Sequence, residues 1–176
     1  MTLDDFSRAA CRPRWPEPVE DAETFEGNAA IKALHYARLS GGWALADDSG
    51  LEVDALGLAP GIRSARYAGS ARDDAANNSK LMEQLAGVPT ERRTARFRCA
   101  IALADSERVV ATASGVVEGR IVDQPRGSNG FGYDPHFYVP EQGLTTAEMA
   151  PDQKNRISHR GQALRAIRPE IERLLA

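Results

Sequence analysis

Along residues 24–40, "TFEGNAAIKALHYARLS", apolar side chains recur at the spacing of one helical face: Phe25, Ala29, Ala30, Ile31, Ala33, Leu34 and Ala37. Thr24 stands where an N-cap belongs, Glu26 falls in the first turn, and Gly41-Gly42 supply the stop. On the same helix Asn28, Lys32 and His35 follow at i, i+4, i+7 and form a polar stripe. Residues 43–46 read as a short buried strand that ends at Asp47 and Asp48, and "LEVDAL" at 51–56 continues extended. "GLAPGIRSARYAG" is a loop punctuated by Gly and Pro. A second helix opens at Asp73 or Asp74, runs through Leu85 and closes at Gly87 and Pro89.

The clearest alternation is in "ARFRCAIALA", 95–104, where Ala95, Phe97, Cys99, Ile101 and Leu103 alternate with Arg96, Arg98, Ala100 and Ala102. "DSER" turns the chain into "VVATASGVVEGRIV", so 95–122 reads as an antiparallel hairpin. The Gly-rich loop "PRGSNGFGYDPHFYVP" follows. From about Ile157 to Leu175 the pattern is helical, with Leu164, Ile167, Ile171 and Leu174 on one side and Pro169 as a kink or restart. Helices mixed with hairpin strands predict an α/β domain on a mixed sheet.

Composition changes this picture little. The chain of 176 residues suits one domain, residues 1–176, large enough to bury a core. A net charge of −3 excludes a global attraction to DNA, RNA or anionic membrane, so the positive charge for any anionic ligand must be local. Cys11 and Cys99 have neither disulfide-framework nor zinc spacing. No apolar run nears the roughly 20 residues of a membrane span, and the first residues lack a secretory apolar stretch, so a cytoplasmic protein is expected. Of the 22 basic side chains only Lys32, Lys80 and Lys154 are lysine. A chain biased to Arg keeps Lys where a compact point charge serves better than a planar fork, as against a phosphate oxygen.

Four polar clusters sit at element ends: Glu20-Asp21, Asp47-Asp48-Ser49-Gly50, "GFGYD" at 130–134, and "KNRISHRG" at 154–161. Each alone admits an ordinary structural reading. Asp47 and Asp48 could cap a turn, Glu20 and Asp21 could favour a helix N-terminus, and Ser158 could cap the helix that follows it. Lys80 reads as a helix-surface residue, and His35 and His136 are assigned no role. Together the four suit a magnesium–nucleoside triphosphate. Mg²⁺ takes one or two carboxylates and completes its shell with phosphate oxygens and water, lysine and arginine neutralise phosphates, and a Phe can stack on a base.

The stretches "FEGNAAIKA", "ALADDSGLEVDALGLAPGIRSARYAG", "NNSKL", "ARFRCAIALA", "PRGSNGFGYDPHFYVP", "TTAEM" and "KNRISHRGQAL", in this order, resemble the inosine/xanthosine triphosphate pyrophosphatase family over about residues 16–176. The resemblance implies an α/β fold with a mixed β-sheet, flanking helices and a central nucleotide-binding cleft, usually in a homodimer. It implies hydrolysis of deaminated purine triphosphates to the monophosphate and pyrophosphate with Mg²⁺. It makes Asp48 the general base, Glu20 and Asp48 the metal ligands, Lys32 and Lys154 phosphate-holding, and Ser49 a lining residue. Phe131, Gly132, Tyr133 and Asp134, with His159 and Arg160, would form the base pocket, Asp134 accepting the N1–H of hypoxanthine or xanthine.

The start departs from the family pattern. Family members open with a strand and a Ser/Thr-x-Asn-x-x-Lys turn that grips the triphosphate, and nothing like it precedes residue 16. The expectation is a domain lacking that strand and phosphate clamp, or one whose start codon lies upstream. Two functions stay open on this ground: an active pyrophosphatase, or a nucleotide-binding or dimer-forming remnant of reduced activity.

Overall fold

The computed structural model describes residues 15–176, apart from the side chain of Leu175. In chain order the elements are α1 (Phe25–Ser40), β1 (Ala44–Val53), α2 (Asp74–Gln84), β2 (Thr94–Ala104), β3 (Val109–Ile121), β4 (Phe137–Val139), β5 (Leu144–Thr145), α3 (Pro151–Ile157) and α4 (His159–Leu175). The capping residues act as expected. Thr24 accepts from the Gly27 N–H and Asp73 from those of Ala75 and Ala76, while Gly41 closes α1 in the left-handed region at φ 68°.

The five strands form one sheet in sequence order, β1-β2-β3-β4-β5, and every pairing among the described strands is antiparallel. The expected mixed sheet is thus corrected for the described strands to an antiparallel one. The hairpin of β2 and β3 is its long centre, turned by Asp105, whose carboxylate accepts from the backbone of Glu107 and Arg108. Among the described strands β1 ends the order and pairs with β2, and its Glu52 also bridges to Pro60.

β2 is buried on both faces because a helix covers each. On one face α1 lays Phe25, Ala29, Ala33 and Ala37 against Ala100, Ala102 and Ala104, a contact of small residues that lets the helix sit close to the strand. On the other, Ala163 and Ile167 of α4 pack on Cys99, Ile101 and Leu103. Beyond them, Leu51, Leu81, Leu85, Ile121, Tyr133, Phe137 and Met149 close a third core between α2 and the far half of the sheet. A Leu or Phe buried this completely contributes on the order of 1.5–3 kcal/mol.

Two boundaries differ from expectation. The C-terminal helical region is two helices, broken at Ser158, whose extended ψ of 146° and hydroxyl acceptor for the Gly161 N–H start α4. Pro169 lies inside α4 without interrupting it. The run "DDSG", expected to end a short strand, instead lies within the ten residues of β1.

Candidate active site

Continuous strand through Asp47, Asp48 and Ser49 decides where each side chain points, because successive residues of a strand face opposite sides. Asp48 faces α1. Its Oδ1 accepts from Lys32 Nζ at 2.7 Å and its Oδ2 from Asn28 Nδ2 at 3.3 Å. Lys32 also reaches Glu20 Oε2 at 3.3 Å. Two members of the polar stripe read on α1, Asn28 and Lys32, are therefore aimed at carboxylates, while His35 meets the Pro16 carbonyl at 2.7 Å. Burial lifts the pKa of Asp48, Lys32 and Asn28 oppose that, Glu20 adds to it, and the net shift is upward.

Gly50 follows because the loop after β1 passes directly over it. A Cβ there would lie 2.4 Å from the Gly61 carbonyl oxygen and 2.6 Å from Ser64 Oγ. Ser64 accepts from the Leu51 N–H at 2.9 Å, which ties that loop to the strand just past the carboxylates.

On the opposite face Asp47 Oδ2 accepts from Arg160 Nε (3.1 Å) and Nη2 (2.8 Å), and from Ser49 Oγ at 2.8 Å. Burial pushes the Asp47 pKa up, but Arg160, Ser49 and Lys32 outweigh it and hold the carboxylate below its usual range. Ser49 thus stands with Arg160 and Asp47, on the far side of the strand from Asp48.

A third group gathers at the Gly-rich loop. Phe131 projects from it, 68% exposed. Behind it Asp134 is buried, with Oδ2 accepting from the Phe131 N–H at 2.8 Å, Oδ1 from Thr146 Oγ1 at 2.7 Å, and Lys154 ion-paired to it. Lys154 Nζ lies 5.3 Å from the Phe131 ring centroid. Gly132 is stapled to α2, its N–H donating to Asp74 (2.6 Å) and its carbonyl accepting from Asn78 (2.8 Å). Tyr133 is turned inward, and its hydroxyl donates to the Ser64 carbonyl at 2.8 Å. His159 lies flat on Phe97 with centroids 5.1 Å apart. Burial, then the charges of Arg160 and Lys154, lower its pKa to about 4, so the imidazole is neutral at physiological pH.

Glu20, Lys32 and Asp48 are thus one cluster, and Phe131, Asp134 and Lys154 another. His159 is near enough to Arg160, Lys154, Asp134 and Asp47 to feel all four, and so joins the second cluster to the Asp47–Arg160 pair. Lys154, read with the phosphates from sequence, sits at the aromatic loop. Lys80, read as a surface residue, is half-buried and donates to the Tyr67 carbonyl at 2.6 Å. His136 is a satisfied core residue, its Nδ1 at 2.9 Å from the Val122 carbonyl. Sequence reasoning flagged Asp47 in the polar cluster after "WAL" without giving it a partner, noted Asn28 only through its spacing to Lys32, and missed Thr146.

Among the described residues no group of three or more carboxylate, imidazole or thiolate side chains is set to hold a metal. Glu20 and Asp48 are a pair of hard oxygen donors converging on one cation, the Lys32 ammonium. That set is too small for an all-protein calcium cage or a zinc site, and it fits Mg²⁺, which uses one or two carboxylates and leaves other positions to phosphate and water.

Known proteins resemble this chain closely. It is 52% identical over 160 residues to the dITP/XTP pyrophosphatase of Shouchella clausii, covering 91% of this chain and 81% of that protein. It is 54% identical over 162 residues to the dITP/XTP pyrophosphatase of Desulforamulus reducens, with 92% and 81% covered. The solved structure of a HAM1 protein from Coxiella burnetii superposes with a TM-score of 0.84 at 46% identity, over 90% of this chain and 81% of that one. The Staphylococcus aureus Ham1 protein superposes at 0.83 with 42% identity, over 88% and 80%. The expected absence of an N-terminal strand and phosphate-binding turn finds no support in these matches, since the family match begins at residue 2, and residues 1–14 lie outside those described. With the family's sequence model matching residues 2–170, the chain belongs to the Ham1 family.

Proposed function

We propose that this protein hydrolyses deaminated purine nucleoside triphosphates (those of inosine, deoxyinosine and xanthosine) to the monophosphate and pyrophosphate, with Mg²⁺ as its metal. The observation that carries the reading is the pairing of a Lys32–Asp48–Glu20 cluster with a Phe131–Lys154–His159–Arg160 group on opposite faces of β1. A nucleotide that reaches both groups lays its phosphates toward α1 and its base toward the aromatic loop.

Asp48 takes the proton of the water that attacks the α-phosphorus. Its raised pKa makes it a better base than an ordinary aspartate. Lys32 shifts from its carboxylate partners toward the phosphate oxygens as they arrive. Glu20 and Asp48 would hold Mg²⁺, which supplies further neutralisation of the phosphate charge.

Selectivity follows from donors. Lys154 and Arg160 can only donate, so they meet the 6-oxo group of hypoxanthine or xanthine and repel the 6-amino group of adenine. A mispaired buried group costs about 1–3 kcal/mol. Both Asp134 oxygens are already engaged, so we assign that residue to fixing Lys154 and the Phe131 loop rather than to reading N1.

No described helix is long and apolar enough to cross a membrane. The reading includes a homodimer acting on the cytoplasmic nucleotide pool. The test is pyrophosphate release from dITP, XTP and dATP, with Mg²⁺ and with chelator, beside sedimentation of the purified protein. Turnover of dITP and XTP that needs the metal and greatly exceeds that of dATP is expected. Equal rates on dITP and dATP would overturn the assignment.

A further inference from the structure

Asn28 is fully buried within α1, where a polar side chain must be explained by its partners. Its backbone N–H is already spent on the Thr24 carbonyl, 3.1 Å away. Its side-chain amide uses both ends: Oδ1 accepts from the Ala22 N–H at 3.1 Å, and Nδ2 donates to Asp48 Oδ2 at 3.3 Å. Ala22 is two residues past Glu20. One rigid amide therefore ties the segment carrying Glu20 to the strand carrying Asp48.

The preceding residue makes the tie possible. A Cβ on Gly27 would lie 2.6 Å from Ala22 Cβ and 3.1 Å from Thr24 Oγ1, so the 20–22 segment reaches the helix only because residue 27 has no side chain.

We propose that Asn28, with Gly27 beneath it, is a positioning residue that sets the separation of Glu20 and Asp48 and so couples metal to nucleotide. This rests on the reading of those two carboxylates as the metal-holding pair. Asn28 touches neither substrate nor metal. It acts through Asp48 on one side and through the Ala22 backbone on the other, and neither Asp nor Leu could both accept and donate as it does.

The test titrates the α,β-methylene analogue of inosine triphosphate by calorimetry, with and without Mn²⁺, into wild type, E20Q, N28A and G27A. The ratio of the two dissociation constants measures the coupling of metal to nucleotide. Removing a partner that orients a metal ligand typically weakens the metal by about 10–100-fold. N28A and G27A are therefore expected to lose at least about tenfold of the coupling, with metal-free affinity for the analogue within twofold of wild type. A residue that only supported the fold would lower the melting temperature and leave that ratio alone. If N28A does not fold, G27A decides, since it removes no polar group and places a good helix former in a helix. Coupling lost in E20Q but intact in G27A and in any folded N28A would overturn the role of Asn28 and leave the metal pair standing. An affinity in wild type that ignores Mn²⁺, or full coupling in E20Q, would overturn the metal pair and this inference with it.

Discussion

Replacing Asp48 by Asn keeps the shape of the side chain and removes its charge and its ability to take a proton. As general base a carboxylate contributes about 10²–10⁴-fold, so kcat should fall by at least about 10²-fold, or about 2.7 kcal/mol of barrier. The effect on the fold has two opposing parts. An amide at this position sets an N–H donor either toward Asn28 Nδ2, 3.3 Å away, or toward Lys32 Nζ, 2.7 Å away, and Asn28 cannot flip because Ala22 holds its Oδ1. That mispairing costs about 1–3 kcal/mol. Against it stands the raised pKa of Asp48, set mainly by burial. A carboxyl whose folded pKa exceeds its unfolded value stabilises the fold when protonated, and that stability is lost as pH rises through the folded pKa. At neutral pH the ionised Asp48 is therefore a net cost, which Asn removes. The two effects oppose each other, and the melting temperature should move by only a few degrees. The assays are pyrophosphate release from dITP at saturating substrate and Mg²⁺, and thermal unfolding of the same preparation. Activity within about tenfold of wild type would refute the role of Asp48; a loss of activity with collapse of the melting temperature would show that the residue holds the fold instead.

Thr146→Val removes the donor to the buried Asp134 Oδ1 and should cost about 1.5–3 kcal/mol in urea unfolding, as expected for a bond to a charged group; a loss under about 0.5 kcal/mol would show that Asp134 is not held this way. His159→Gln should flatten the pH dependence of stability. The folded pKa of about 4 lies below the ordinary histidine value of 6.5, so wild type should weaken as pH falls between those values, where the unfolded chain takes a proton that the folded one refuses; urea midpoints across that range check it. Lys154→Arg should reduce turnover of dITP by at least about tenfold, because a broad fork replaces a point charge packed against Asp134 and Phe131. Lys80→Arg should instead lower stability and leave kcat alone, since that lysine serves the Tyr67 carbonyl; equal kinetic losses in the two variants would contradict the separation.

Local pattern was enough for much of the architecture. The 3.6-residue spacing with Thr24 before it and Gly41 after it specifies α1, and alternation through 95–104 with an Asp-led turn specifies the β2–β3 hairpin, because caps, turns and period are read from neighbours in sequence. The candidate residues were also legible as polar clusters at expected element ends, since adjacent carboxylates after the apolar "WAL" either cap a turn or hold a cation. Their arrangement was not. "DDS" looks like a turn because Asp is poor in strand interiors; it is strand here because Arg160, 113 residues further on, and Lys32 satisfy the two carboxylates from opposite faces. Likewise Asn28 reads as one point on a polar stripe, and its bond to Ala22 exists only once the 20–22 segment folds back over Gly27. The break at Ser158 and the fully engaged Asp134 belong to the same class.

The sequence by itself determined which segments are helix and hairpin and which polar side chains are candidates for a site, since both depend on residue type and near neighbours. Only the tertiary structure decided that Asp47 and Asp48 serve opposite faces, that Lys154 stands with the aromatic loop, and that Tyr133 and Asp134 turn inward. Those facts depend on the desolvation of charged groups and on partners far away along the chain, and no local period encodes either.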